Sequence, residues 1–395
     1  MIRFPLLGLA LGLSICSLFQ PALGQVAPAG TIKPAPSTAA DAPAAPIDWD
    51  RARRLFQLSK SGGKLSPEDA AYLQRAMEAR RQGGGGQPPR GDSRALFGRA
   101  HIDFKPLDEM SAEDRYSGEE GGLYGEGRNA PTDEHRRAAE SALAQVRPLD
   151  AAGKPAEDGT IGFISISMSN ATQEFSTFKR IADEDPAKSP RVTIVDCAQG
   201  GQAMAEWVSP NGNPWRETAR RLDAAGITPA QVQVVWVKLA NKSPQGTLEQ
   251  HGGKLASDTI AVLHNVREKF PQVRIAYLGS RIYGGHASGG LNPEPFAYEG
   301  AFVVRRLIRD QIAGKAELNY DAARGAVQSP LLLWGPYLWA DGDRPRKSDG
   351  LAWLAEDFSG DGVHPSTSGR EKVARLMLKF LTTDPLAKPW FAAKP

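Results

Sequence analysis

Ile161-Gly162-Phe163-Ile164-Ser165-Ile166-Ser167-Met168-Ser169-Asn170-Ala171-Thr172-Gln173-Glu174-Phe175 is the stretch on which the fold turns. A short apolar run without a polar face reaches small polar residues and passes at once into the start of a helix. A strand apolar on both faces suits a parallel sheet covered by helices, whereas a half-solvated antiparallel strand would alternate. Four further runs of this kind follow, so strands are predicted over 161–167, 192–197, 232–239, 273–279 and 331–334. Amphipathic stretches between and after them predict helices over 172–183, 214–225, 255–270, 295–313 and 366–381.

Five strands alternating with helices make a doubly wound, flavodoxin-like α/β sheet, in which functional groups gather at the carboxyl ends of the strands. Ser169 stands at the first of those ends. A serine on a strand-to-helix turn presents its hydroxyl beside backbone N–H groups and the positive end of a helix dipole, where an oxyanion is stabilised. The same position suits a plain helix N-cap. The second strand runs out through Asp196-Cys197-Ala198-Gln199-Gly200-Gly201, whose glycine pair lets the backbone approach a bound molecule or simply turn. The third delivers Asn241, an amide that can donate to developing negative charge or close a turn. The fourth is followed by Ser280-Arg281-Ile282-Tyr283, which makes Arg281 and Tyr283 candidates for positioning a substrate.

The strongest local signal is Asp357-Phe358-Ser359-Gly360-Asp361-Gly362-Val363-His364-Pro365-Ser366, directly before the last amphipathic helix. Asp361 and His364 are three apart on one loop. That spacing lets a carboxylate accept from one imidazole nitrogen and fix the tautomer, leaving the other nitrogen as a general base for a serine.

In order and spacing, Ser169 after the first strand, Gly201 after the second, Asn241 after the third and Asp361-x-x-His364 before the last helix resemble the SGNH hydrolases, the GDSL-like esterases and lipases. The resemblance covers about residues 158–384. It implies Ser169 as nucleophile, His364 as general base and Asp361 as its orienting acid. The Ser169 N–H, the Gly201 N–H and the Asn241 side chain would form the oxyanion hole, and no cofactor is implied. The chain departs from the family where the usual Gly-Asp-Ser reads Ser167-Met168-Ser169, and Ser167 shares a strand face with Ser169 as an alternative nucleophile. Met168-Ser169-Asn170-x-x-Gln173-Glu174-Phe175, Asn292-Pro293-Glu294-Pro295 and Trp334-Gly335-Pro336-Tyr337 also resemble a group of uncharacterised exported bacterial proteins. The implied activity is hydrolysis of an O-acyl ester, with a carbohydrate O-acetyl group as one candidate. The competing class is a saccharide-binding protein that keeps the sheet without turnover.

Upstream, Arg3 precedes an apolar run ending at Phe19, with Ala22 and Gly24 at cleavage spacing. This predicts a signal peptide over 1–24, too short to span a bilayer, and an exported product in the periplasm or medium. Residues 25–46, rich in Ala, Pro, Thr and Ser, predict a disordered tether. Residues 47–86 predict a helical hairpin whose second helix opens at Ser66-Pro67-Glu68-Asp69. Residues 87–157 predict an irregular wrap with a helix near 131–145, and 385–395 a tail. Of Cys16 and Cys197, the first leaves with the leader, so no intrachain disulfide is available.

Charge excludes one class of partner: 48 Lys and Arg against 45 Asp and Glu, with no basic cluster interleaved with aromatics, gives no nucleic-acid groove. Gly125-x-Gly127-x-x-Ala130 follows no strand and is not a dinucleotide fingerprint. Asp357, Ser359, Asp361 and Gly362 echo a calcium loop that lacks its closing glutamate, Ser368 standing there instead. The six histidines have no zinc spacing. Trp207, Trp215, Trp236, Trp334, Trp339 and Trp353 are candidates for a sugar groove or for core.

Overall fold

The computed structural model describes residues 96–393 and, ahead of them, residues 52, 55, 56, 58, 59 and 65–82. The predicted leader and tether lie outside the described residues. The chain divides into two compact units, residues 1–78 and 79–395. Helix α1 (Pro67–Gln82) begins as its sequence dictates. The Ser66 hydroxyl accepts from the Asp69 amide at 3.1 Å and donates to its carboxylate at 2.9 Å, satisfying one of the unpaired N–H groups of the first turn.

The second unit is built on a five-stranded, wholly parallel sheet. Its strands are β1 (Ile161–Ile166), β2 (Val192–Val195), β3 (Val232–Lys238), β4 (Ile275–Gly279) and β5 (Leu331–Trp334), in the order β2-β1-β3-β4-β5. All residues of β1, β3, β4 and β5 are buried, as their unalternating apolar pattern requires. The chain leaves β1 for β2 on one side and returns past it to β3 on the other. That reversal opens a crevice at the carboxyl ends of β1 and β3, where Ile166 lies opposite Val237.

The helices are α2 (Asp133–Leu143), α3 (Ser169–Glu184), α4 (Met204–Trp207), α5 (Asn213–Ala224), α6 (Leu248–Lys269), α7 (Phe296–Ile312), α8 (Thr367–Thr383) and α9 (Lys388–Phe391). They cover both faces of the sheet. α3, α8 and α9 share an aromatic layer in which Phe175 stacks on Trp236 at 5.7 Å and meets Phe163 at 5.2 Å. Tyr277 closes that layer, donating to the Leu386 carbonyl at 2.6 Å and accepting from the Trp390 indole at 3.0 Å. Residues 385–395, expected as a tail, therefore include buried Leu386, Ala387, Trp390 and Phe391.

Two departures from the sequence reading have local causes. α6 begins seven residues before the predicted 255, because Thr247 and Gln250 form a reciprocal capping box that starts the helix ahead of Gly252-Gly253. A Cβ at Gly252 would lie 3.2 Å from Val303 on α7, so the glycine serves close helix packing. The short α4 was not foreseen, since four residues are too few to show a period. The stretch before β1 contains α2 and a series of turns tied to the sheet region. Ile102 N donates to Asp341 at 2.8 Å, and the Trp334 indole donates to the Leu123 carbonyl at 2.6 Å. Among the described residues no helix is long and apolar enough to cross a membrane.

Phe175 is fully buried at the junction of α3 with the sheet. Phe175→Ala is expected to cost about 3–5 kcal/mol in a urea titration. A loss below about 1 kcal/mol would show that α3 is not seated on this layer.

Candidate active site

β1 ends at Ile166, and α3 starts at Ser169 with Met168 as an N-cap that makes no side-chain cap bond. Ser169 is thus the first helical residue and not the cap, and its hydroxyl is free for another partner. Ser169 Oγ lies 2.7 Å from His364 Nε2, and His364 Nδ1 lies 2.6 Å from Asp361 Oδ2. The loop that carries the acid and the imidazole is pinned on three sides. Asp361 Oδ1 accepts from the Val363 and His364 amides at 3.0 Å each, Asn170 Nδ2 donates to the Val363 carbonyl at 2.8 Å, and the Ser288 amide donates to the Asp361 carbonyl at 3.1 Å. Gly362, at φ 64°, is obligatory here: a Cβ would stand 1.8 Å from the His286 carbonyl oxygen.

Partial burial alone would raise the Asp361 carboxyl. The hydrogen bonds from the His364 ring, the His364 amide and the Val363 amide outweigh it and hold Asp361 well below the usual carboxylate range. Asp361 is therefore an anion facing Nδ1, which fixes the proton on that nitrogen and leaves Nε2 as an acceptor toward Ser169.

Ser167 does not reach the imidazole. It is fully buried, and its hydroxyl donates to the Lys238 carbonyl at 2.5 Å. Its φ of 150° is one that glycine tolerates best, so a side chain is kept there against backbone preference. The bond to β3, and a second from the Gln199 amide to the Ser167 carbonyl at 2.9 Å, over-determine that conformation.

Ser169 and His364 open into a cavity of about 250 Å³ that Gly201, Asn241, Arg281 and Asn292 also line. Gly201 takes φ 77°, and a Cβ there would meet nothing within 4 Å, so its backbone faces open space. Asn241 is held by its own partners. Its Oδ1 accepts from the Ala205 amide at 3.0 Å and its Nδ2 gives one hydrogen to Asp258 at 2.6 Å, leaving the second amide hydrogen uncommitted. Asp258 is in turn gripped by Lys254 at 2.9 Å. Two larger clefts, of about 580 and 430 Å³, contain none of these residues, so cleft size does not locate the chemistry.

One expectation is corrected. Tyr283 is buried away from the cavity, donating to the Arg99 carbonyl at 3.0 Å, because β4 ends at Gly279 and strand alternation no longer carries 281 and 283 to one face. Of the two roles left open for Trp207, Trp215, Trp236, Trp334, Trp339 and Trp353, the structure gives core: all are buried.

Sequence reasoning missed the charged support behind the site. Glu174 on α3 and Lys238 at the end of β3 are wholly buried and pair directly, Nζ to Oε1 at 2.6 Å. Burial pushes the Glu174 carboxyl up despite its partner, and burial brings the Lys238 ammonium down to about 8 despite the opposing pull of Glu174. The pairing could not be read from sequence: Glu174 lies on the same helical face as Ala171, Phe175 and Phe178, but its partner Lys238 is 64 residues away. The same is true of Asp258, which resembles a surface i,i+4 partner of Lys254. Among the described residues no group of three or more His, Cys, Asp or Glu is arranged to hold a metal ion.

No protein-family model matches the chain, and no curated protein matches it in sequence. Solved structures that it is similar to include a provisionally assigned acylhydrolase from Bacteroides fragilis, at 11% identity and TM-score 0.31, over 63% of this chain and 97% of that one. The periplasmic domain of a lipopolysaccharide acetyltransferase from Salmonella ser. Paratyphi A matches at 11% and 0.31, over 63% and 97%. A salicylyl-acyltransferase from a tetracycline biosynthetic pathway matches at 12% and 0.31, over 59% and 58%. These are acyl-group enzymes, but likenesses this distant carry no argument about the present site.

Breaking a buried pair strands a charge, whereas replacing both partners does not. Glu174→Leu is expected to destabilise by about 3–5 kcal/mol and Glu174→Leu/Lys238→Met to recover most of that in denaturant titrations. Additive losses would mean that the two groups do not act on each other.

Proposed function

We propose that this protein is an exported serine esterase that hydrolyses O-acyl esters, with O-acetylated carbohydrate as the natural class. The observation that carries the reading is the continuous hydrogen-bond line Ser169 Oγ, His364 Nε2, His364 Nδ1, Asp361 Oδ2, at 2.7 and 2.6 Å, opening on a cavity. A buried structural histidine would have no reason to offer its acceptor nitrogen to a hydroxyl at a cavity wall.

In the proposed reaction Ser169 Oγ attacks the ester carbonyl carbon as its proton passes to His364 Nε2. The imidazolium is stabilised by ionised Asp361. The carbonyl oxygen, now bearing the charge, is met by the Ser169 amide at the start of α3, the Gly201 amide and the spare Asn241 hydrogen. Collapse of the tetrahedral intermediate breaks the bond to the alcohol, which leaves with the proton from Nε2. Water then repeats the sequence on the acyl-enzyme: it gives a proton to Nε2, attacks the acyl carbon, and Ser169 departs with that proton as the free acid is released.

A fluorophosphonate probe is expected to label the wild-type protein and not Ser169→Ala, whereas labelling lost only in Ser167→Ala would move the nucleophile. Absent labelling together with saccharide binding would favour the non-catalytic alternative. The pH profile has a definite sign. The mechanism needs His364 Nε2 as an acceptor, so kcat/KM is expected to fall on acidification. Asp361, held below the usual carboxylate range, stays ionised throughout, so the acid limb should follow one proton. A limb of two protons, or a flat profile, contradicts the assignment. Asp361→Asn should lower kcat by about two orders of magnitude or more, because the imidazole then loses its preferred tautomer.

A further inference from the structure

The wall of the cavity beside Ser169 is electrostatically one-sided. Among the described residues, the ionisable ones that line it are Lys242, Arg281 and His364, and no carboxylate does. Lys242 is exposed and already pairs with Glu206 at 2.7 Å. Arg281 is different: it is 3% exposed, its Nε has no partner, and its Nη2 has one long contact, to the Val363 carbonyl at 3.4 Å. Glu174, Glu294 and Asp361 act on it through space, yet each is engaged elsewhere. Glu174 is taken by Lys238. Glu294 accepts from the Trp339 indole and the Gly284 and Tyr298 amides, and Asp361 from His364. A buried guanidinium with no direct counter-ion is a costly arrangement in the free protein.

Completion by a ligand accounts for it. The planar guanidinium matches the two oxygens of a carboxylate, and such a bond gains strength inside a small, largely apolar cavity. Asn292, at the same wall, presents a second unpartnered buried atom, its Oδ1, which is an acceptor suited to a neighbouring hydroxyl. We propose that Arg281 receives an oxyanionic group of the substrate, so that the preferred esters carry a carboxylate on their acyl or alcohol half. This inference rests on the esterase reading and adds the substrate class to it. It makes Arg281 a specificity-determining residue, with no part in the bond-breaking steps.

The test compares esters that differ in one charge, using the full chain. For the acyl half the pair is 4-nitrophenyl butyrate and 4-nitrophenyl hemisuccinate; for the alcohol half it is an O-acetyl methyl glucuronoside as methyl ester and as free acid. In one pair the charged member is expected to exceed its neutral partner in kcat/KM by about tenfold or more, chiefly through KM. Which pair responds assigns the carboxylate to the acyl or the alcohol half. In Arg281→Gln that ratio should fall toward one, and Arg281→Lys should restore part of it. Equal kcat/KM within both pairs overturns the inference while leaving the esterase reading intact, since the neutral esters are still cleaved. No turnover of any ester and no fluorophosphonate labelling overturns both. Should the variants not fold, free succinate and glucuronate on the wild-type protein decide. Competitive inhibition of neutral-ester cleavage by either supports the inference, and no inhibition by both overturns it.

Discussion

The 2.7 Å contact between Ser169 and His364 joins residues 195 positions apart, and much of the surrounding architecture serves to hold it. The serine is delivered by a strand buried on both faces, so its position is set by the sheet. The imidazole is delivered by a loop, which is a poorer platform. The structure compensates by tying that loop to the serine's own helix through Asn170, to the segment after β4 through Ser288, and to itself through the two amides bonded to Asp361. A hydroxyl and a ring from distant parts of the chain thereby share one rigid rim.

Behind that rim lies a layer of buried charge that is unusual for a sheet otherwise filled with aliphatic and aromatic side chains. Lys238 and Glu174 join the end of β3 to α3, and Arg281 stands near them with one long contact, to the Val363 carbonyl at 3.4 Å, and its Nε unpartnered. Ionic pairs in such a place give little net stability. Their position, directly beneath the serine turn, suits a role in orienting the strand ends. Burial raises Glu294 to about 7 even though three donors hold it, which shows how thoroughly water is excluded here.

The fold was legible because parallel strands buried on both faces leave unalternating apolar runs, and all five runs in this chain appear as strands. Element ends were less so: the helix expected from 255 begins at Leu248, behind a Thr247–Gln250 capping box. At the site, strand-end and helix-start positions made Ser169, Gly201, Asn241, Asp361 and His364 candidates beside plainer readings as caps and turns, and only their order along the chain, through its resemblance to a known hydrolase family, singled them out. Tyr283 was misread because nearness to the end of β4 does not fix where a side chain in the following loop points: it turns to the Arg99 carbonyl. Glu174, Lys238, Asp258 and Asn292 were invisible, since their significance lies in burial and in partners far along the chain. Ser167 shows the limit most clearly: its backbone angle explains why glycine would suit that position, and only its bond to the Lys238 carbonyl explains how a serine is kept.

The central claim is that Ser169 becomes covalently acylated. Rapid acid quench during turnover of 4-nitrophenyl acetate, followed by peptide mass spectrometry, tests it directly. The account predicts one acetyl group on the peptide that contains Ser169, formed and lost at the rate of turnover. Steady hydrolysis with that peptide unmodified, or with the acetyl group on another residue, would contradict it.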